Sequence, residues 1–93
     1  MNKKKLNVER RKIDKVDNDL FRIIKKRTLI VNRMLNLKKN KKEIIDHKRI
    51  NQILKKIKVK SRKNNIDPKL TTKIWKSMIW SYVDYQKMKF RKK

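Results

Sequence analysis

Residues 9–39 read ERRKIDKVDNDLFRIIKKRTLIVNRMLNLKK, and this stretch decides the fold. Its apolar residues fall at Ile13, Val16, Leu20, Ile23, Ile24, Ile30, Val31, Met34 and Leu35, the spacing of one face of an α-helix. Arg27 sits in the middle of that stripe, where a leucine is expected, and Arg10 and Lys38 extend the same face. A cation on an apolar face costs free energy unless an anion meets it. The chain holds 32 Lys and Arg against 8 Asp and Glu, so it has few carboxylates to supply. A bound anion is the first hypothesis for what meets Arg27.

Outward from this segment, the periodicity predicts an all-α chain of three helices. The first spans about Asn7 to Leu37, on the order of 45 Å at ~1.5 Å per residue. Lys38 to Lys42 (KKNKK) breaks the apolar period and reads as a charged loop. The second helix runs from about Glu43 to Lys63 on Ile44, Ile45, Ile50, Ile53, Leu54 and Ile57. NNIDP, residues 64–68, is the clearest punctuation. Asn64 or Asn65 can take a left-handed cap, Asp67 can cap the next helix, and Pro68 suits its first turn. The third helix follows from Pro68 to about Phe90, on Leu70, Ile74, Trp75, Met78, Ile79, Tyr82 and Val83. No strand pattern, repeat or second domain is visible. Residues 1–93 read as one domain, with basic tails at 1–6 and 91–93. Two shorter helices cannot cover the first along its full length, so its exposed end calls for a second copy of the chain.

Composition narrows the chemistry. There is no cysteine, hence no disulfide and no thiolate, and a single histidine, His47, argues against a transition-metal site. No apolar run reaches the ~18–20 residues of a membrane span, and MNKKKLNV lacks the apolar stretch of a signal peptide, so the expected compartment is the cytoplasm. The net charge of +24 has three readings: non-specific nucleic-acid binding, attraction of a small anionic substrate, or a compositional bias toward Lys, Asn and Ile with no Gly or Ala. The bias accounts for surface lysines but not for cations on an apolar face.

The pattern Arg10-x-x-Ile13-Asp14-x-Val16-Asp17, then Arg27, Lys38, Arg49 and Gln86 in order, resembles the all-α class of chorismate mutases. The resemblance covers Val8 to Phe90. It implies an intertwined helical homodimer of three-helix protomers, with two shared active sites and no cofactor or metal. By the same resemblance, Arg10 enters from the second protomer's first helix and joins Arg27 in gripping the two carboxylates of a dianionic substrate. Lys38 and Gln86 donate to the ether oxygen of the breaking C–O bond, and Arg49 supports the carboxylate or the lysine loop. The residue types suit the reaction. A pericyclic rearrangement needs no nucleophile or base, only a held conformer and donors aimed at the oxygen that gains charge. Guanidinium groups bind carboxylates in a bidentate way. Any of Lys39, Lys41 and Lys42 could stand in for Lys38.

Two positions depart from the mutase pattern. The glutamate expected after Arg49 is Ile50, and the small polar residue expected four before Gln86 is Tyr82. The related isochorismate-pyruvate lyases, which build salicylate, look closer at both. They tend to carry an aliphatic residue and a tyrosine there, with a similar spacing from loop lysine to arginine. Asp46, one turn before Ile50, remains an acceptor for a ring hydroxyl. The expected function is therefore a pericyclic reaction of chorismate, with the lyase reaction as the alternative, a basic helical nucleic-acid binder as the third reading, and a family member without activity behind it. His47 reads as a solvated helix residue, Asp14 and Asp17 as packing and ion-pair residues, and Trp75 and Trp80 as core and edge aromatics.

Overall fold

The structure is a computed structural model and describes residues 2–91. Helix α1 spans Lys3–Leu37, a 3₁₀ turn follows at Lys41–Ile44, α2 spans His47–Lys63, and α3 spans Pro68–Lys89. The chain divides into two compact units, residues 1–34 and 35–93.

The first unit is the body of α1. The helix starts four residues earlier than the apolar pattern predicts, so residues 3–6 are helical rather than a tail. Asn2 explains the difference. Its Oδ1 accepts from Lys5 N at 3.1 Å and its carbonyl from Leu6 N at 3.1 Å, an N-cap that satisfies free amides of the first turn. Three lysines at this positive end of the helix dipole work against it. Farther on, two of its four acids pair along the helix surface, Glu9 with Lys12 and Asp19 with Arg22. The apolar stripe is open: Ile13 is 61% exposed, Leu20 51% and Ile23 60%.

The second unit holds the core. Leu35, Ile44 and Val83 are buried together, and Ile45 and Phe90 pack against them. Helices α2 and α3 pack on each other, and the 3₁₀ turn packs on α3. The second helix begins at His47, not Glu43. Ile45 and Asp46 are extended, and Asp46 Oδ1 accepts from Arg49 N at 3.0 Å as the N-cap. Part of the KKNKK loop is thereby ordered, since Lys41 and Lys42 lie in the 3₁₀ turn. The turn between α2 and α3 forms as NNIDP predicts. Asn65 takes φ 56°, Ile66 N donates to Ser61 O at 2.9 Å, and Asn65 N donates to Arg62 O at 3.3 Å, a Schellman closure. Asp67 Oδ1 accepts from Lys69 N at 2.9 Å, and Pro68 is the first residue of α3. No helix among the described residues is long and apolar enough to cross a membrane.

Candidate active site

Lys38 follows the last residue of α1, and its backbone N–H donates to Leu35 O at 3.1 Å. Its ammonium reaches α3, where Nζ donates to Gln86 Oε1 at 2.8 Å. Gln86 is 8% exposed, one of the few buried polar side chains. Its Nε2 donates to Tyr82 O at 3.2 Å, one turn back along α3. These bonds orient the amide. An ammonium has only donors, so the amide oxygen must face it and the NH₂ must face the carbonyl. Each group keeps N–H capacity beyond these bonds, so the pair can still donate to a third atom. Lys39, Lys41 and Lys42, the other candidates in the loop, are exposed.

Burial pushes the Lys38 ammonium below its ordinary pKa of 10.5, and the charges of Glu43 and Asp46 oppose that shift. Glu43 was not among the residues read as functional. It also fastens the loop, because Oε2 accepts from Lys39 N at 3.1 Å. The signal for it lay in the chain: Glu43 and Asp46 are the only acids between Asp19 and Asp67, and they flank the lysine loop.

Asp46, Arg49 and Ile50 form the first turn of α2. Asp46 caps it, and Ile50 N donates to Asp46 O at 3.0 Å. Asp46 is therefore a capping residue outside the helix, with Oδ1 engaged, rather than an interior residue one turn before Ile50. Ile50 is half-buried and Arg49 is exposed. Ile45 precedes α2 in an extended conformation. Tyr82 is half-buried and stands edge-on to Tyr85 at 6.2 Å between ring centroids. His47 is exposed, its ring 6.4 Å from that of Trp80, which is itself 41% exposed. Lys38, Gln86, Tyr82, Asp46, Arg49 and Ile50 all belong to the second unit.

Arg10 and Arg27 belong to the first. Arg10 is exposed and its Nη1 donates to Asn7 Oδ1 at 3.4 Å; Arg27 is half-buried. Seventeen residues separate them on one continuous helix, roughly 25 Å along its axis. Among the described residues there is no cluster of three or more His, Cys, Asp or Glu that could hold a metal ion.

Chemically, the second unit presents a half-buried ammonium fixed to a buried amide, with donors to spare and no nucleophile or base in the arrangement. The family model described as chorismate mutase type II matches residues 9–87. No curated protein and no solved structure matches the chain.

Proposed function

The chain belongs to the chorismate mutase type II family, and from that premise we propose that it rearranges chorismate to prephenate at a site built on Lys38 and Gln86. The family makes it a chorismate mutase-type enzyme acting on a dianionic small molecule. The observation that carries the finer reading is the 2.8 Å bond from Lys38 Nζ to Gln86 Oε1. It holds a cation and a neutral amide side by side before substrate arrives, and both retain N–H groups for an ether oxygen. In the rearrangement the ether C–O bond breaks as a C–C bond forms, and negative charge grows on that oxygen. Donors already in place need no reorganisation at that moment. A half-buried ammonium is also worth more to a developing anion than a solvated one.

Arg27 and Arg10 are the carboxylate grips in this reading. One helix holds them roughly 25 Å apart, far beyond the span of a single small substrate. Both can touch one substrate only if Arg10 comes from a second copy. The open stripe of Ile13, Val16, Leu20 and Ile23, which starts one turn after Arg10, supplies the apolar surface for that copy. A homodimer with shared sites is thus part of the proposal. Sedimentation that gave a folded monomer at micromolar protein would remove it.

A second reading rests on Ile50 and Tyr82. Ile50 is half-buried at the start of α2 and offers no acceptor, and Tyr82, one turn before Gln86, is a half-buried aromatic. Both are residue types that the isochorismate-pyruvate lyases tend to carry, and elimination of pyruvate from isochorismate to leave salicylate also proceeds through a cyclic transition state and uses the same anion grip. The deciding experiment supplies chorismate and isochorismate in parallel and measures prephenate, salicylate and pyruvate. Prephenate alone supports the mutase, salicylate with pyruvate the lyase, and neither product excludes both.

A further inference from the structure

The positive charge of this chain is not spread evenly. Helix α1 mixes Glu9, Asp14, Asp17 and Asp19 among its cations and pairs two of them locally. Helix α2 has no acid at all, and none occurs between Asp46 and Asp67. Its apolar side, Ile50, Ile53, Leu54, Ile57 and Ser61, is half-buried or buried, and α2 packs on α3. The opposite side is exposed. Lys48, Lys55 and Arg62 recur at helical spacing along it, flanked by Lys56, Lys58 and Lys63. At ~1.5 Å per residue this ridge is about 22 Å long. Its second half lines an open groove of about 580 Å³ whose one apolar side chain is Val59.

We propose that the outer face of α2 is a docking surface for the phosphate backbone of duplex DNA, separate from the Lys38–Gln86 site and independent of its reaction. Like charges at this density repel one another in the free protein, and an anionic partner relieves that repulsion. Duplex DNA carries one charge per about 1.7 Å of axis, so a straight ridge of this length finds phosphates throughout it. Other occupants fit less well. Protein interfaces are anchored by buried aromatic and aliphatic side chains, and this face offers only Val59. Single strands are held by base stacking, and α2 contains no Phe, Tyr or Trp. Membrane insertion needs an apolar face, and that of α2 is turned onto α3. Phosphate contacts carry no sequence information, so binding through this ridge is sequence-independent.

The test uses the full chain and a fluorescent DNA duplex of about two helical turns, read by anisotropy over a salt series. If about four phosphates are neutralised, log K falls with log salt at a slope of about −3.6, a loss of roughly 150-fold between about 50 and 200 mM. The variant K55Q/K58Q/R62Q/K63Q lowers that slope to about −1 or less and weakens binding accordingly. It keeps its helical circular dichroism and its turnover at saturating substrate. The variant K3Q/K4Q/K5Q/K15Q, equal in charge change but located on α1, retains most of the binding. Equal loss in both variants would show attraction to net charge alone and overturn the proposal. So would tighter binding to polyglutamate or to anionic vesicles than to the duplex. A ridge variant that binds DNA normally but captures substrate more slowly would assign the ridge to substrate steering instead.

Discussion

Replacing Lys38 by methionine keeps the length of the side chain and removes its charge and its donors. Two effects follow, and they differ in size. In the proposed rearrangement, the ether oxygen loses one preorganised donor, which typically costs about 10²–10³ in rate, or roughly 2.7–4 kcal/mol of barrier. In the resting protein, the 2.8 Å bond to Gln86 is lost and a buried amide oxygen is left without it. A hydrogen bond to a charged group is worth about 1.5–3 kcal/mol, and a stranded buried acceptor costs about 1–3 kcal/mol. Against this, the ammonium is no longer desolvated, the same burial that depresses its pKa. The two partly cancel, so Lys38→Met lowers stability by about 1 kcal/mol while turnover falls at least about 100-fold. Gln86→Leu removes the amide from the other side. The double variant K38M/Q86L strands no polar group, so it is more stable than Lys38→Met alone, and its rate loss is smaller than the product of the two single losses. Urea melts and steady-state kinetics on the four proteins measure both. Near-normal turnover in Lys38→Met, with a large loss in Lys39→Met or Lys41→Met, would refute the assignment of the donor to Lys38. Equal stability of K38M/Q86L and Lys38→Met would refute the stranded-acceptor argument.

Further outcomes follow from the same geometry. Lys38 offers a charged donor only while protonated, and burial holds its pKa below 10.5, so activity is full at lower pH and falls as pH rises through that depressed value. Lys38→Arg, if active, shows no such limb in the pH profile. The sign for stability is opposite: between the folded pKa and 10.5 the unfolded chain holds the extra proton, so the Lys38 contribution to stability rises with pH in that window. Arg27→Ala loses about 10²–10³ in catalytic efficiency with helical circular dichroism retained, and near-normal turnover would exclude Arg27 from the site. Ile50→Glu restores an acceptor beside Arg49 and raises the ratio of mutase to lyase product, because sites that bond a hydroxyl discriminate better than apolar ones. An unchanged ratio would place Ile50 outside the pocket.

How much was legible in the chain depends on the range of the interactions. The three helices and the NNIDP turn follow from local rules: apolar spacing, a cap, a proline at the first position; the left-handed residue, open in the sequence between Asn64 and Asn65, is Asn65 in the structure. The family was legible too, because Arg10, Arg27, Lys38, Arg49 and Gln86 keep their order and spacing whatever their contacts. Local signals were also missed where a cap sat outside the apolar pattern. Asn2 extends α1 to Lys3, and Asp46 delays α2 to His47; Asn and Asp are ordinary in both places, and only the bonds to Lys5 N and Arg49 N show their use. Tertiary structure alone decided which lysine of the loop meets Gln86. Four lysines in five residues are equivalent by composition, and the choice of Lys38 rests on where the chain leaves α1 and on a partner 48 residues away on α3. It alone decided that Ile44 joins Leu35 and Val83 in the core instead of beginning α2. The physical reason is the same in each case. Helix propensity and patterning act within a few residues, whereas desolvating a charge and pairing it inside the protein depend on groups that only folding brings together.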